Sequence, residues 1–284
     1  MAGVDGAMED TYLRILGPWI ARWSLAPAGD PFATHTSVLL PVLAGGEPAM
    51  VKVATVPEEE RGAEILAWWG GVGAARVLAL EGEAMLLERA TGMRSLVEMA
   101  VSGDDDKATR ILCATAARLH ERRPEPPASA VPLVTWFADL EPAAWSEGGI
   151  LRRSLAAANA LLATPRDGAV LHGDLHHGNV LDFGARGWLA IDPKGLFGER
   201  GYDFANIFCN PDAAVATAPG RLARQADVVA AAACLDRARL LKWVLAYAGL
   251  SAAWSLEDGD DPALALAVAE IAVGELAKAH QIHF

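Results

Sequence analysis

Alternating apolar and polar positions in the first third of the chain predict a small antiparallel sheet. Val38–Leu43 and Ala49–Ala54 have the composition of strands, and the Ala44-Gly45-Gly46-Glu47 segment between them is typical of a hairpin turn. Arg76–Leu80 and Ala84–Glu88 form a second predicted strand pair around a Gly-containing turn. The first third therefore contains at least two β-hairpins.

Two helices are predicted in the same region. Glu9–Trp23 has apolar residues at helical spacing, and Gly17-Pro18 is expected to break or kink this helix. Glu58–Trp69 begins with three glutamates, which suit the positive end of the helix dipole, and it ends before Gly70-Gly71. The order strand, strand, helix, strand, strand predicts a sheet with one helix packed on it.

From residue 91 onward helical patterns predominate. Helices are predicted at Asp104–Arg122, at Ile150–Ala163 and over most of the chain from Tyr202. Short strands are predicted at Ala169–Leu171, Val180–Phe183 and Trp188–Ile191, around a polar segment. The fold class is therefore α+β, with a sheet-rich domain at 1–90 and a larger, mostly helical domain at 91–284.

The composition excludes several classes of protein. The 284 residues include 24 Lys and Arg against 36 Asp and Glu, a net charge of −12, so a basic nucleic-acid-binding surface is not expected. No run approaches the roughly 18 apolar residues of a membrane span, and the N-terminus has no secretory pattern. Three separated cysteines without a C-x-x-C pair argue against a disulfide framework. We expect a cytoplasmic protein, and the sequence does not indicate its oligomeric state.

Residues 171–194, LHGDLHHGNVLDFGARGWLAIDPK, contain the groups needed for chemistry. Asp174 follows a short strand, Asn179 comes five residues later, and a second strand leads to Asp192. Phosphoryl transfer from ATP needs a carboxylate to orient the attacking hydroxyl and oxygen ligands for Mg²⁺. The D-x-x-x-x-N spacing is that of the kinase catalytic loop. Alternatively, Asp174 and Asn179 simply cap a loop.

A kinase site also needs an upstream lysine and a glutamate to pair with it. Lys52 lies in the otherwise apolar run Met50-Val51-Lys52-Val53, and Glu64 follows in the predicted helix. Glu58, Glu59 and Glu60 compete with Glu64 for this role. The order of these residues favours the kinase interpretation over isolated surface charges.

The runs HGDLHHGN, IDPKG and GERGYDFANIF resemble the aminoglycoside phosphotransferase superfamily, most closely its streptomycin 6-phosphotransferase and hydroxyurea phosphotransferase branch. Asp-Pro-Lys in place of Asp-Phe-Gly points to this branch, and the resemblance covers nearly the whole chain. It implies a bilobal protein-kinase-like fold that uses ATP and Mg²⁺. The implied activity is phosphate transfer to an alcohol group of a cationic aminoglycoside such as streptomycin, as in an antibiotic-resistance kinase.

The resemblance also implies roles for individual residues. It assigns catalysis to Asp174, metal binding to Asn179 and Asp192, phosphate binding to Lys52, and the ion-pair partner of Lys52 to Glu64. It identifies Leu86–Ala90 as the hinge, where the backbone of Glu88 and Ala90 would meet adenine. His172 and Asp203 resemble residues that brace the catalytic loop.

The loop that would cover the phosphates departs from the kinase pattern. Residues 31–38, PFATHTSV, contain no glycine. Thr36 and Ser37 could donate hydroxyl or backbone hydrogen bonds to a phosphate, or could simply end a strand. No G-x-x-x-x-G-K-[ST] segment is present, so a Walker-type nucleotide site is not supported.

Several acidic residues are candidates for binding the acceptor. A cationic acceptor suits a site with carboxylates and tryptophan faces. Glu199 and Asp212 are the main candidates, with Asp139, Glu141 or Glu147 as further ones, and each could equally be a solvated surface acid. Lys194 could meet a phosphate oxygen or lie on the surface.

Other classes of protein stay open at this point. A metallophosphoesterase would also use Asp, Asn and His together, but no histidine follows an aspartate at the D-x-H spacing outside the catalytic segment. A kinase of hydroxyurea or of another small hydroxylated metabolite is the main alternative. A non-catalytic kinase-like nucleotide-binding protein would keep the same residues without phosphoryl transfer.

Overall fold

The computed structural model describes residues 2–123 and 125–281 and divides into two compact units. The first contains the described residues up to Met93 together with Leu181–Lys194; the second contains Arg94–Val180 and the described residues from Gly195 onward. The predicted boundaries place 181–194 in the helical domain. The structure adds this segment to the first unit, where Ala190 N–H donates to Gly73 O (2.9 Å) and Ala75 N–H donates to Ala190 O (2.9 Å). Residues 1, 124 and 282–284 of the predicted domains lie outside the described residues.

An antiparallel sheet forms the framework of the first unit. Its strands are β1 (Ala26–Pro27), β2 (Phe32–Ala33), β3 (Ser37–Ala44), β4 (Glu47–Ala54), β5 (Val77–Glu81) and β6 (Ala84–Glu88). The order is β1-β3-β4-β6-β5, and β2 also pairs with β3. Both predicted hairpins are confirmed, since β3 pairs with β4 and β5 with β6. Gly45 and Gly46 both have positive φ in the β3–β4 turn, a conformation that glycine adopts without strain.

Two helices accompany this sheet. Helix α1 (Ala2–Arg22) packs Leu16 into the sheet core and continues through Pro18, so the helix does not break there, and the alternative of a kink stays a prediction. A proline inside a helix removes one backbone hydrogen bond, and Leu16 and Trp19, on either side of Pro18, pack against the sheet. Helix α2 (Pro57–Trp69) begins with Pro57 in its first turn and ends at Gly70 with φ +60°.

The second unit is mostly helical. Its helices are α3 (Leu96–Val101), α4 (Asp105–Leu119), α5 (Leu133–Trp136), α6 (Leu140–Glu147), α7 (Gly149–Leu162), α8 (Ala213–Ala216), α9 (Arg221–Ala233), α10 (Arg237–Asp258) and α11 (Ala263–Gln281). Two 3-10 helices, Phe137–Asp139 and Arg200–Cys209, belong to the same unit. The predicted helices near Asp104, near Ile150 and after Tyr202 are confirmed.

Short strands position the polar segment of the chain. Strands β7 (Val131–Pro132), β8 (Gly168–Leu171) and β11 (Leu196–Glu199) form a sheet in the order β7-β11-β8. Strands β9 (Val180–Asp182) and β10 (Trp188–Ala190) pair with each other, and a 3-10 turn at Gly184–Arg186 joins them. Within the described residues, no helix is both long enough and apolar enough to cross a membrane.

Candidate active site

The alternation of side chains along β4 determines where Lys52 points. Ala49, Val51 and Val53 are buried in the core beneath α1, so Met50 and Lys52 face the opposite side of the sheet. The register places Lys52 between Leu39 on β3 and Met85 on β6. Lys52 therefore lies in the middle of an otherwise apolar sheet face.

Two carboxylates neutralise Lys52 within the first unit. Its ammonium group contacts the carboxylates of Glu59 and Asp192. The Lys52 side chain is 11% exposed and that of Glu59 is 6% exposed, whereas Asp192 is 40% exposed. A buried ammonium group requires such partners, because an unpaired charge is costly in a poorly solvated site.

The partner of Lys52 on α2 is Glu59, and the prediction of Glu64 is wrong. Glu64 is exposed, whereas Glu59 belongs to the buried face of the helix. The two glutamates are five residues apart, and a rotation of about 100° per residue turns their side chains about 140° away from each other. Glu59 was among the competing candidates, and the sequence alone did not fix the rotation of the helix.

The turn between β2 and β3 is held by Glu59 rather than by glycines. Thr36 Oγ1 donates to Glu59 Oε1 (2.9 Å), and Ser37 Oγ donates to Glu59 Oε2 (3.5 Å). Ser37 is buried, so its hydroxyl is not placed to bind a phosphate. The Thr36 and Ser37 hydroxyls therefore hold the turn against Glu59, and a backbone hydrogen bond from either residue to a phosphate stays a prediction.

A cavity of about 430 Å³ lies in the first unit beside Lys52. Apolar side chains from the sheet and from the 181–194 segment line most of its wall: Phe32, Leu39, Met50, Met85, Leu87, Leu181, Phe183 and Ile191. Thr34, Lys52, Asp192 and the Glu88–Ala90 segment complete the lining. A mostly apolar cavity of this size with a few convergent polar groups is typical of a small-molecule site.

The hinge segment Glu88–Ala90 lines part of this cavity. The Glu88 side chain binds two other parts of the protein. It accepts a hydrogen bond from Arg76 N–H (2.6 Å) and contacts the guanidinium group of Arg186. Glu88 N–H donates to Arg76 O (3.0 Å). Glu88 and Ala90 both line the cavity, as the hinge prediction requires, and their contact with adenine stays a prediction.

Asp192 follows β10 in a left-handed backbone conformation, with φ +63°. Aspartate tolerates a left-handed backbone conformation better than most residues. In this conformation the Asp192 carboxylate contacts the ammonium group of Lys52. Lys194, two residues later, lies 3.2 Å from Glu58 Oε1 and 3.6 Å from Glu59 Oε1. The Asp-Pro-Lys segment thus contacts both the sheet lysine and the first turn of α2.

In the second unit, buried Asp203 anchors the start of the catalytic loop. It accepts hydrogen bonds from His172 N–H (2.9 Å), Gly173 N–H (2.8 Å) and His120 Nε2 (2.7 Å). Burial disfavours the charged form, but the hydrogen bond and charge of His120 outweigh it and keep the pKa of Asp203 below its usual value. Gly173 has φ +83°, a backbone conformation that residues with a side chain rarely adopt.

Two amide groups fix the carboxylate of Asp174. Asn206 Nδ2 donates to Asp174 Oδ1 (2.6 Å), and Asn179 Nδ2 donates to Asp174 Oδ2 (3.0 Å) and to the Asp174 carbonyl (2.9 Å). Asp174 N–H donates to His172 Nδ1 (3.2 Å). The carboxylate is therefore held in one orientation at the end of β8, as a general base must be.

Asn179 has one side-chain atom left for a cation. Its Nδ2 is committed to Asp174, so Oδ1 is the atom that can coordinate a metal ion. In the part of the chain that the structure describes, no group of three or more His, Cys, Asp or Glu residues could hold a metal ion. Metal binding by Asn179 and Asp192 stays a prediction.

Sequence reasoning missed His120 and Asn206. Asn206 follows Asp203 by one turn in the 3-10 helix Arg200–Cys209, and Asn210 Nδ2 donates to its carbonyl (3.0 Å) and to its Oδ1 (2.9 Å). The spacing of Asp203 and Asn206 in GYDFANIF was the available signal. His120, at the end of α4, had no such signal.

Glu199 is not a free acceptor-binding carboxylate. It is buried and accepts hydrogen bonds from Arg239 Nε and Nη2 (2.6 Å each), Trp243 Nε1 (2.9 Å) and Arg166 N–H (3.0 Å). Burial opposes its ionisation, but the hydrogen bonds from Arg239 and Trp243 keep its pKa below the usual value. These contacts occupy both oxygens, so the prediction of acceptor binding by Glu199 is wrong.

Asp212 caps helix α8. Its Oδ1 accepts a hydrogen bond from Val215 N–H (2.9 Å), and the side chain is exposed. A role in acceptor binding stays a prediction for this residue.

The fold and the catalytic loop define a protein-kinase-like phosphotransferase. The model of the aminoglycoside/hydroxyurea antibiotic resistance kinase family matches residues 22–259, and the chain belongs to this family. The predicted family, fold class and enzyme class are confirmed.

Three curated relatives are similar over most of the chain. Streptomycin 3''-kinase from Klebsiella pneumoniae is 50% identical over 262 residues, which cover 90% of this chain and 98% of that protein. Streptomycin 6-kinase from Streptomyces griseus is 35% identical, with 90% and 86% covered. Hydroxyurea phosphotransferase from Kitasatospora aureofaciens is 33% identical, with 91% and 76% covered.

Solved structures share the fold at low sequence identity. A thermostable mutant of aminoglycoside phosphotransferase APH(4)-Ia, in a ternary complex with ADP and hygromycin B, has a TM-score of 0.65 and 14% identity, covering 91% of this chain and 97% of that one. APH(3'')-Id from Streptomyces rimosus, in complex with ADP and streptomycin, has a TM-score of 0.60 and 18% identity, with 85% and 97% covered.

Proposed function

We propose that this chain transfers the γ-phosphate of ATP to a hydroxyl group of streptomycin or a related aminoglycoside. The main support for phosphoryl transfer is the Asp174 carboxylate, which Asn179 and Asn206 hold in one orientation at the end of β8. The choice of acceptor is supported by the 50% identity to a streptomycin 3''-kinase. That relative also makes the 3''-hydroxyl the expected site of phosphorylation.

ATP would bind in the cavity beside Lys52. The apolar side chains of the cavity suit a purine base, and the backbone carbonyl of Glu88 and N–H of Ala90 would meet the adenine edge. Lys52 would contact phosphate oxygens while Glu59 keeps its ammonium group in place. A cytoplasmic location is part of this proposal, because the cytoplasm supplies ATP.

The side chains of Asn179 and Asp192 fit Mg²⁺, because this hard cation prefers carboxylate and amide oxygens. Asn179 would offer Oδ1, and Asp192 would offer its partly exposed carboxylate. When bound, Mg²⁺ neutralises negative charge on the phosphate oxygens.

Asp174 would orient the acceptor hydroxyl and accept its proton. The acceptor oxygen forms a bond to the γ-phosphorus, the bond from that phosphorus to the bridging oxygen breaks, and ADP leaves. Asn179 and Asn206 hold the carboxylate in place, so part of the rate enhancement would come from orientation.

The test is phosphorylation of streptomycin by the full chain with Mg-ATP, followed by ADP release and by mass spectrometry of the product. Asp174→Ala should lose transfer and keep nucleotide binding, whereas Asp192→Ala should also weaken metal-dependent nucleotide binding. Glu270→Ala, at an exposed position of α11, is the matched control. Retained turnover in Asp174→Ala would overturn the mechanism. Nucleotide binding without transfer to any acceptor would favour a non-catalytic kinase-like protein.

Hydroxyurea is the second candidate acceptor, because a hydroxyurea phosphotransferase is 33% identical over 91% of this chain. It carries no positive charge and is much smaller than streptomycin. Parallel assays with hydroxyurea, streptomycin and other aminoglycosides distinguish the two. Transfer to hydroxyurea without transfer to streptomycin would replace the proposed acceptor.

A further inference from the structure

Two tryptophans and one carboxylate meet on the surface of the second unit. The rings of Trp136 on α5 and Trp254 on α10 pack edge to face, with centroids 5.2 Å apart and an interplanar angle of 70°. Trp254 Nε1 donates to Asp139 Oδ2 (3.1 Å). Both rings are partly exposed and Asp139 is exposed, so aromatic surface and a carboxylate are accessible together.

This cluster is connected to the catalytic loop through Tyr202. Trp136 Nε1 donates to the hydroxyl of Tyr202 (2.8 Å), and Tyr202 lies in the same 3-10 helix as Asn206, which holds Asp174. Burial raises the pKa of the Tyr202 phenol well above its usual value, and the nearby charges of Asp203 and Asp174 raise it further. The tryptophan pair is therefore joined, through Tyr202, to the 3-10 helix whose Asn206 holds the catalytic carboxylate.

The charge around the pair is negative. Glu257 and Asp258 follow Trp254 by three and four residues on α10, which places them on the same helix face, and both are exposed. Among the described residues, no ion pair joins Asp139, Glu257 or Asp258 to a basic side chain. A cation approaching the rings would meet uncompensated negative charge, which strengthens its attraction to the aromatic faces.

We propose that Trp136, Trp254 and Asp139 form the site that binds a guanidinium or ammonium group of the acceptor. This inference rests on the proposed function, since it concerns how the acceptor is held while its hydroxyl reaches Asp174. The guanidinium groups of streptomycin match this chemistry: a planar cation lies on an indole face and donates hydrogen bonds to a carboxylate. A neutral acceptor would gain neither cation–π attraction nor an ion pair from these residues.

The test compares Trp254→Leu and Asp139→Asn with Trp145→Leu. Trp145 is a suitable control because it is exposed on α6 and stacks beneath Arg152 rather than against another tryptophan. We expect Trp254→Leu and Asp139→Asn to raise KM for streptomycin about tenfold, with kcat and KM for ATP nearly unchanged. Thermal melting of each variant identifies a folding defect, and the milder Asp139→Asn variant keeps the test decisive if Trp254→Leu is unstable.

Direct titration with streptomycin separates this inference from the proposed function. Binding to the wild-type chain that weakens in both variants supports the site, even if no phosphate is transferred. Turnover of streptomycin with unchanged KM in both folded variants would overturn the site and leave the proposed function standing. Failure of streptomycin to bind the wild-type chain would overturn the proposed acceptor and the site together, which distinguishes this outcome from turnover with unchanged KM.

Discussion

The ammonium group of Lys194 lies 3.6 Å from Glu59 Oε1, on the same carboxylate that pairs with Lys52. Glu59 also accepts the hydroxyl hydrogen bonds of Thr36 and Ser37. A single carboxylate therefore connects the β2–β3 turn, the sheet lysine and the Asp-Pro-Lys segment. This connection explains how a turn without glycine is held in a defined position above the cavity.

Glu59→Gln should impair the enzyme, whereas Glu64→Gln should not. The first change leaves buried Lys52 without its α2 partner and weakens the hold on the β2–β3 turn. We expect kcat/KM for ATP to fall about tenfold or more, since each 1.4 kcal/mol lost is a factor of ten. Glu64 is exposed, so its variant should retain wild-type kinetics. Equal effects of the two substitutions would contradict the pairing.

Asn206→Ala should reduce kcat without changing KM for ATP. The substitution removes the hydrogen bond to Asp174 Oδ1 and frees the carboxylate to rotate away from the acceptor hydroxyl. A misoriented base costs on the order of 10- to 100-fold in rate. Steady-state kinetics beside Asn159→Ala, an exposed asparagine on α7, provide the comparison. An unchanged kcat would show that Asn179 alone is sufficient to orient Asp174.

Lys52 and the catalytic loop could be predicted from the sequence, because short segments of the chain determine their positions. The Gly45-Gly46 turn and the alternation along β4 determine the position of Lys52, and the loop from His172 to Asn179 is continuous in sequence. Glu59 could not be chosen over Glu64, because packing in three dimensions sets the rotation of α2. Asn206 and His120 reach the loop from distant segments. The Asp203–Asn206 spacing was a signal for Asn206, but its contact with Asp174 and the contact of His120 with Asp203 depend on the three-dimensional fold.

Glu199 is a residue whose predicted role was changed by a contact with a distant part of the sequence. Its position in the family-like run suggested an acceptor ligand, but both of its oxygens accept hydrogen bonds from Arg239, forty residues later. Glu199→Gln should therefore lower stability by about 3 kcal/mol at pH 7, the usual cost of breaking a buried pair, and leave KM for streptomycin unchanged. A rise in KM with unchanged melting temperature would restore the acceptor role.

The pH dependence of this loss has a defined sign. The folded pKa of Glu199 is depressed, so its stabilising contribution is present above the unfolded value of about 4.3. The contribution is lost as the pH falls through the folded pKa. The difference in melting temperature between wild type and Glu199→Gln should be constant near neutrality and shrink below about pH 4. A difference that grows in acid would contradict the assignment.

His177 provides a second, independent source of acid sensitivity, because burial lowers its pKa to about 4. Its ring is buried next to the charges of Arg221 and Asp105, and neither ring nitrogen has a hydrogen-bond partner among the described residues. Between about pH 6.5 and pH 4 the unfolded chain binds a proton at this residue that the folded chain does not, so folding stability falls as the pH falls. The full shift corresponds to about 3 kcal/mol.

His177→Phe should flatten this decline, because phenylalanine keeps the ring volume and removes the titration. Urea unfolding of wild type and variant at a series of pH values between 7 and 4, about one unit apart, measures the difference directly. His35→Phe, at an exposed position in the β2–β3 turn, is the control and should keep the wild-type slope. If His177→Phe keeps that slope as well, the acid sensitivity comes from other groups, and the buried His177 ring does not contribute to it.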